Sequence, residues 1–258
     1  MTTSSETQAL SGRSALVTGA GTGIGAATAA ALAADGARVA LLGRRLDKVT
    51  AVSDDINGRH PDATAAFAAD VTDREALTDV IDSARGRFGP FDLVVANAGA
   101  MLAAPFDGAD VGEWDRMIAT NLTGLLSTAR ATVDDLTDAA SRGNRADLVL
   151  VSSLGAHIVL PTYAVYTATK AAVTHLASTL RAELGPRGVR VRSVEPGMTH
   201  SDLGLDMTDP AGAAFLEQFK TDNPPIPASA IADAIVWSSA FPPAVNVASL
   251  LVTPTSQG

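Results

Sequence analysis

The sequence predicts a single-domain α/β protein built on a doubly wound parallel sheet of about seven strands, with helices on both faces. Three observations carry that expectation. Short aliphatic runs alternate with longer amphipathic or alanine-rich stretches through the first 200 residues, the pattern of repeated strand–helix–strand units. Several of those runs are apolar throughout, as strands covered on both faces are. No stretch rich in Pro, Gly or Ser divides the chain and no repeat recurs, so its 258 residues read as one core.

Taken in order, strands are expected over 15–18, 38–42, 65–68, 93–96, 147–152, 190–194 and 248–252. Helices are expected over 24–35, 46–58, 73–86, 112–140, 163–184 and 228–239. Asp35-Gly36 stops the first helix, and Thr72-Asp73-Arg74-Glu75 reads as a capping box opening the third. The segment after Gly197 mixes turn residues, short helical patches and a Pro cluster. An insertion of that length in a compact domain is functional or mobile, and residues 198–227 are read as a substrate lid. Residues 1–11 are read as a flexible polar tail, with 12–258 forming the domain.

Composition excludes several function classes. A net charge of −9 argues against nucleic acid or an anionic membrane surface as partner. The chain has no cysteine, hence no disulfide framework and no thiolate metal site, and it suits a reducing cytoplasm, where it is expected to work. No apolar run approaches the roughly 18 residues of a membrane span. The four histidines, His60, His157, His175 and His200, form no ligand-like spacing, and no metal site is expected. His157 and His200 fall in loops expected on the substrate side.

Glycines at 19, 21, 23 and 25 sit between the first strand and first helix. Gly19 ends the strand where a Cβ would obstruct, and Gly23 and Gly25 let helix and sheet approach. A helix emerging from such a loop offers free N–H groups to a phosphate, which makes the fold Rossmann-like; a turn serving only chain reversal is the alternative. Farther along, Tyr166 and Lys170 stand four residues apart and share one helix face. Read alone, they suit an ordinary interface helix better than a catalytic pair.

TGAGTGIG, Asn97-Ala98-Gly99, Asn121, Ser153 and Tyr166-x3-Lys170 together resemble the short-chain dehydrogenase/reductase family over essentially the whole chain from about residue 12. The tail FPPAVNVASLLVTPTSQG looks like the branch of serine/3-hydroxy-acid dehydrogenases and clavulanic-aldehyde-type reductases. The resemblance selects Ser153, thirteen residues ahead of Tyr166, over Ser152. It implies cofactor contacts at Gly19, Thr22, Gly23, Ile24 and Gly25, at Asn97, Ala98 and Gly99, and at Thr199 and Ser201. Asp70-Val71 would meet the adenine, and Pro196-Gly197 the nicotinamide.

Hydride transfer to a carbonyl places negative charge on oxygen, which needs a proton donor and a hydrogen-bond cradle. A phenol pKa near ~10 is too high for that task at neutral pH, and an adjacent ammonium lowers it. Tyr166 is therefore expected as general acid in reduction and general base in oxidation. Lys170 would tune it and, as the resemblance implies, hold the nicotinamide ribose; Ser153 would hold the substrate oxygen and Asn121 would support a proton relay. Ser153 as a strand-end cap and Asn121 as a partner for buried backbone are the bland alternatives. Tyr163 lacks a lysine four residues on.

Gly43 stands where relatives that use NAD(H) carry an acid, and Arg44 and Arg45 follow. A guanidinium fork suits a 2′-phosphate, so NADP(H) is the expected cofactor, with NAD(H) the alternative. The expected activity is hydride transfer between that cofactor and the carbonyl or alcohol carbon of a small substrate. Met101, Leu102, Leu154, Ile158, Met198, Leu203, Leu205 and Met207 imply that its body is largely apolar. Between Gly197 and Pro227, Lys220 is the only cation against five carboxylates, so no carboxylate clamp is evident. A non-catalytic cofactor sensor and a nucleotide-sugar epimerase or dehydratase are the competing readings. The resemblance further implies a homotetramer paired through the helices near 112–140 and 163–184.

Overall fold

The computed structural model describes residues 8–257. Seven parallel strands form one sheet in the order β3-β2-β1-β4-β5-β6-β7. They are β1 Ser14–Thr18, β2 Arg38–Gly43, β3 Thr64–Ala68, β4 Leu93–Ala96, β5 Asp147–Val151, β6 Arg190–Pro196 and β7 Ser249–Val252. Strand order reverses between β1 and β4, which opens a crevice at the carboxyl ends of the central strands. The helices are α1 Gly23–Ala34, α2 Leu46–Arg59, α3 Arg74–Phe88, α4 Val111–Ile118, α5 Leu125–Ser141, α6 Ala164–Leu184, α7 Pro210–Asp222 and α8 Ala228–Ala240.

Alternate residues of each central strand feed two cores. Ala15, Val17, Val39 and Leu41 meet Leu32 of α1, Val49 of α2 and Ile235 of α8 on one face. Leu16, Ala40, Leu42 and Val94 meet Ile81 of α3, Leu136 of α5 and Val173 of α6 on the other. Burial on both faces explains why these strands read as continuous apolar runs.

Three local expectations need correction. The helix expected over 112–140 is interrupted by a π-helical turn, Ala119–Gly124, which widens the helix by one residue at Asn121. Gly124 fits there because a Cβ would lie 2.5 Å from Val71 Cγ2. The cap of α3 is Asp73, whose side chain accepts from Ala76 N at 3.1 Å, not Thr72, whose hydroxyl donates to Asp70 Oδ1 at 2.7 Å. Of the expected tail, residues 1–7 lie outside the described residues, but 8–11 are fastened: Leu10 is fully buried and its N–H donates to Asp35 O at 3.1 Å.

The amino ends of the strands carry a buried charge cluster. Asp147 is fully buried at the start of β5 and pairs with Arg13 at 2.8 Å, Arg190 at 2.6 Å and Arg192. Arg13 also reaches Asp92 at 2.8 Å. The cluster lies at the opposite edge of the sheet from the glycine loop, so it bears on stability and not on the crevice. Among the described residues, no helix is long and apolar enough to cross a membrane and no group of side chains forms a metal cluster.

Candidate active site

A cavity of about 540 Å³ opens at the strand-order reversal. Its floor is the glycine loop. Gly19 has φ +66°, a left-handed conformation, and a Cβ on Gly25 would lie 2.2 Å from Gly19 O. The amino end of α1 has no side-chain cap and no acidic residue in its first turn, so its free N–H groups suit an anionic phosphate. Thr18 Oγ1 accepts from the Asn97 and Ala98 amides at 3.0 and 3.1 Å, and Asn97 Nδ2 donates to Thr18 O at 2.9 Å. These bonds lock the ends of β1 and β4 beneath the cavity.

Most expected site residues line this space: Gly19, Thr22, Gly23, Ile24, Arg44, Arg45, Asp70, Val71, Asn97, Ala98, Gly99, Ser153, Tyr166, Lys170, Pro196, Gly197, Thr199 and Ser201. Gly25 lies just beneath the loop. Asn121 is 1% exposed and sits behind the wall. Its Oδ1 accepts from Ala100 N at 2.7 Å, and its Nδ2 donates to Ala100 O at 2.9 Å and to Thr169 Oγ1 at 3.1 Å. The Asn121 side chain therefore fixes the backbone that follows Gly99.

Tyr166 and Lys170 project from α6 into the cavity wall, both 5% exposed. Lys170 Nζ donates to Val151 O at 3.0 Å, and burial lowers its pKa to about 8. Burial also pushes the Tyr166 phenol up, while the Ser153 hydroxyl beside it pulls the other way. The expectation that Lys170 governs this pKa downward is thus corrected: in a site this dry, removing the phenolate from water is the larger effect. Ser152 is committed elsewhere, donating to Lys170 O and accepting from Thr174 Oγ1, both at 2.8 Å. Ser153 accepts from Gly155 N at 3.0 Å.

At the adenine end, Asp70 accepts from Thr72 N at 2.9 Å. Burial raises its carboxyl, but the Thr72 hydrogen bonds and the Arg44 charge outweigh it and hold the pKa low. Arg45 pairs with Asp202 at 3.6 Å. Lys48, from the first turn of α2, lines the same end, a cation missed in the sequence because it comes from a helix and not from the glycine loop.

At the other end, Met101, Leu154, Ile158, Met198, Leu203 and Leu205 line the cavity as expected, joined by Leu160, Tyr163, Phe215 and Phe219. Leu102 and Met207 pack instead into the small core around Tyr163 and Met117. Burial, then the nearby Tyr166, pushes Tyr163 up to about 12. His157 and His200 do not line the cavity. Arg116 and Lys220 do, but Arg116 pairs with Asp206 and Lys220 with Glu217. Gln257 was also missed; its Oε1 accepts from Met198 N at 2.8 Å, bracing the turn after Pro196.

The short chain dehydrogenase family model matches residues 13–210, which span the elements just described up to the start of α7. The chain belongs to that family. An uncharacterized oxidoreductase of Staphylococcus aureus strain MRSA252 is 34% identical over 245 residues, covering 95% of this chain and 98% of its own. The 3-ketoacyl-(acyl-carrier-protein) reductase of Brucella melitensis, solved with NADH, is 26% identical with a TM-score of 0.84, covering 94% of this chain and 97% of that one. A serine dehydrogenase in its closed form with NADP+ is 26% identical with a TM-score of 0.85, covering 95% of this chain and 96% of that one. This short-chain dehydrogenase is an enzyme acting on CH–OH or C=O groups with a nicotinamide cofactor, and its glycine loop and uncapped helix fit the cofactor's phosphates.

Proposed function

We propose that the protein is an NADP(H)-preferring carbonyl reductase or alcohol dehydrogenase for a small, largely apolar substrate. The observation that carries this is the convergence of Ser153, Tyr166 and Lys170 on one wall of the cavity whose floor is the glycine loop. The bound cofactor supplies or accepts the hydride. Ser153 holds the substrate oxygen. Tyr166 gives that oxygen its proton in reduction and takes it in oxidation. The Lys170 ammonium would oppose the burial that disfavours the phenolate and would hold the cofactor's ribose, and Asn121 fixes the backbone that follows Gly99.

The preference for NADP(H) rests on charge. Gly43 leaves no carboxylate at the end of β2, and Arg44 and Lys48 flank the place where a 2′-phosphate would lie. Residues 198–227 act as a lid, whose first part is tied by Arg45–Asp202, Arg116–Asp206 and Thr208–Glu113. Because Asp206 neutralises Arg116, the substrate end offers no free cation to a carboxylate. Exposed Ile118 and Leu126 on the α4–α5 surface support pairing into a homotetramer. We place the enzyme in the cytoplasm, where a cysteine-free chain loses nothing to a reducing medium.

The test is incubation with NADPH or NADH and a panel of aldehydes, ketones and 3-oxo acids, following absorbance of the reduced cofactor. Fastest turnover with NADPH and a neutral, apolar carbonyl supports the reading; no oxidation of either cofactor across the panel refutes it.

A further inference from the structure

His157 follows Ser153 by four residues, and the steps above do not use it. Its Nε2 lies 2.7 Å from Glu195 Oε2. Glu195 is 2% exposed and immediately precedes Pro196. Its second oxygen accepts from Ser193 Oγ at 2.6 Å and Ser249 Oγ at 3.1 Å, with Thr174 Oγ1 at 3.4 Å. A carboxylate taken out of water is costly unless donors surround it, and here donors come from Ser193 of β6, Ser249 of β7 and His157 of the Ser153 loop, with Thr174 of α6 in contact. Burial raises the carboxyl, but Ser193, His157 and Ser249 together hold it below its ordinary value.

The chain of contacts continues into the active site. Thr174 Oγ1 donates to Ser152 Oγ at 2.8 Å, and Ser152 Oγ donates to Lys170 O at 2.8 Å. One buried carboxylate thereby joins the loop carrying Ser153, the helix carrying Tyr166 and Lys170, and the strand ending at Pro196-Gly197. We propose that His157 and Glu195 form a positioning clamp that sets the Ser153 hydroxyl against the Tyr166 phenol. The inference rests on the reading of Ser153 as the contact to the substrate oxygen.

The side chain of His157 is 44% exposed, so His157→Ala spares the core, whereas changing Glu195 risks the fold. Misplacing a reacting group by about 1 Å costs up to ~100-fold, and the variant is expected to lose roughly tenfold in kcat. Cofactor Kd should stay within about twofold, because the glycine loop is untouched. His157→Gln retains a donor toward Glu195 and is expected to recover most of the rate. Since the clamp acts through Ser153, Ser153→Ala/His157→Ala should turn over no more slowly than Ser153→Ala alone. Wild-type kcat in His157→Ala beside a disabled Ser153→Ala overturns the clamp alone, as do losses that multiply in the double variant. Undiminished turnover in Ser153→Ala overturns the functional reading and the clamp with it.

Discussion

The Lys170 ammonium stands 5.8 Å from the centroid of the Tyr166 ring, on the next turn of α6, while donating to the Val151 carbonyl at 3.0 Å. Burial makes the phenol harder to ionise and the ammonium easier to discharge. The pair thus favours a protonated donor at neutral pH, which is the state needed to reduce a carbonyl. Reduction kcat/KM should fall as pH rises through about 8, where the free enzyme's Lys170 loses its charge. Oxidation should rise with pH as the phenolate becomes accessible. Lys170→Met should abolish the inflection near that pH; its survival there would assign it to another group.

The same burial leaves a mark on stability. Because the folded-state pKa of Lys170 lies below its unfolded value, the unfolded chain binds more protons between about pH 8 and 10.5. Burying the charge is therefore a penalty present in full below about pH 8, and Lys170 contributes a gain in stability as pH rises across that window. Urea midpoints of wild type and Lys170→Met, compared from pH 7 to 10, should converge at the alkaline end. Parallel curves would mean that Lys170 keeps its proton when folded.

Arg44→Ala should raise KM for NADPH far more than for NADH. A charge-assisted contact is worth roughly 1.5–3 kcal/mol, which corresponds to about 10- to 150-fold. Lys48→Ala should do the same to a smaller degree. Equal effects on the two cofactors in steady-state kinetics would sink the assignment.

Asp147 holds three arginines at the bottom of the sheet. Asp147→Asn leaves those cations without their countercharge, and breaking a buried pair costs about 3–5 kcal/mol. Urea denaturation should register that loss with cofactor affinity unchanged in the folded fraction. A midpoint equal to wild type would show that the arginines find other partners.

Much of the architecture was legible in the sequence because it depends on local pattern. The apolar runs became strands, and Asp35 and Gly36 ended α1, with Gly36 at φ +91°. The π-helical turn at Asn121 was not legible, because the groups it meets are distant in sequence: Gly124 packs against Val71, from the loop after β3, and Asn121 bonds Ala100 and Thr169. Nor could the sequence show that Arg116 reaches the cavity, since it and the Asp206 that neutralises it are 90 residues apart. The direction of the Tyr166 shift failed for a related reason. Spacing reveals the neighbouring charge, whereas the depth of burial is set by residues packed around the phenol, Tyr163 and the distant Leu102 and Met117 among them.

The Tyr166→Phe variant tests the central claim most directly. It removes one oxygen from the cavity wall and leaves the ring, Lys170 and the glycine loop in place. Reduction rate under single-turnover conditions, measured alongside cofactor Kd by fluorescence titration, separates proton donation from binding. The account predicts a rate lower by roughly 10²- to 10⁴-fold, the range of a lost general acid, with Kd within about twofold of wild type. A variant that reduces its substrate at the wild-type rate would contradict it.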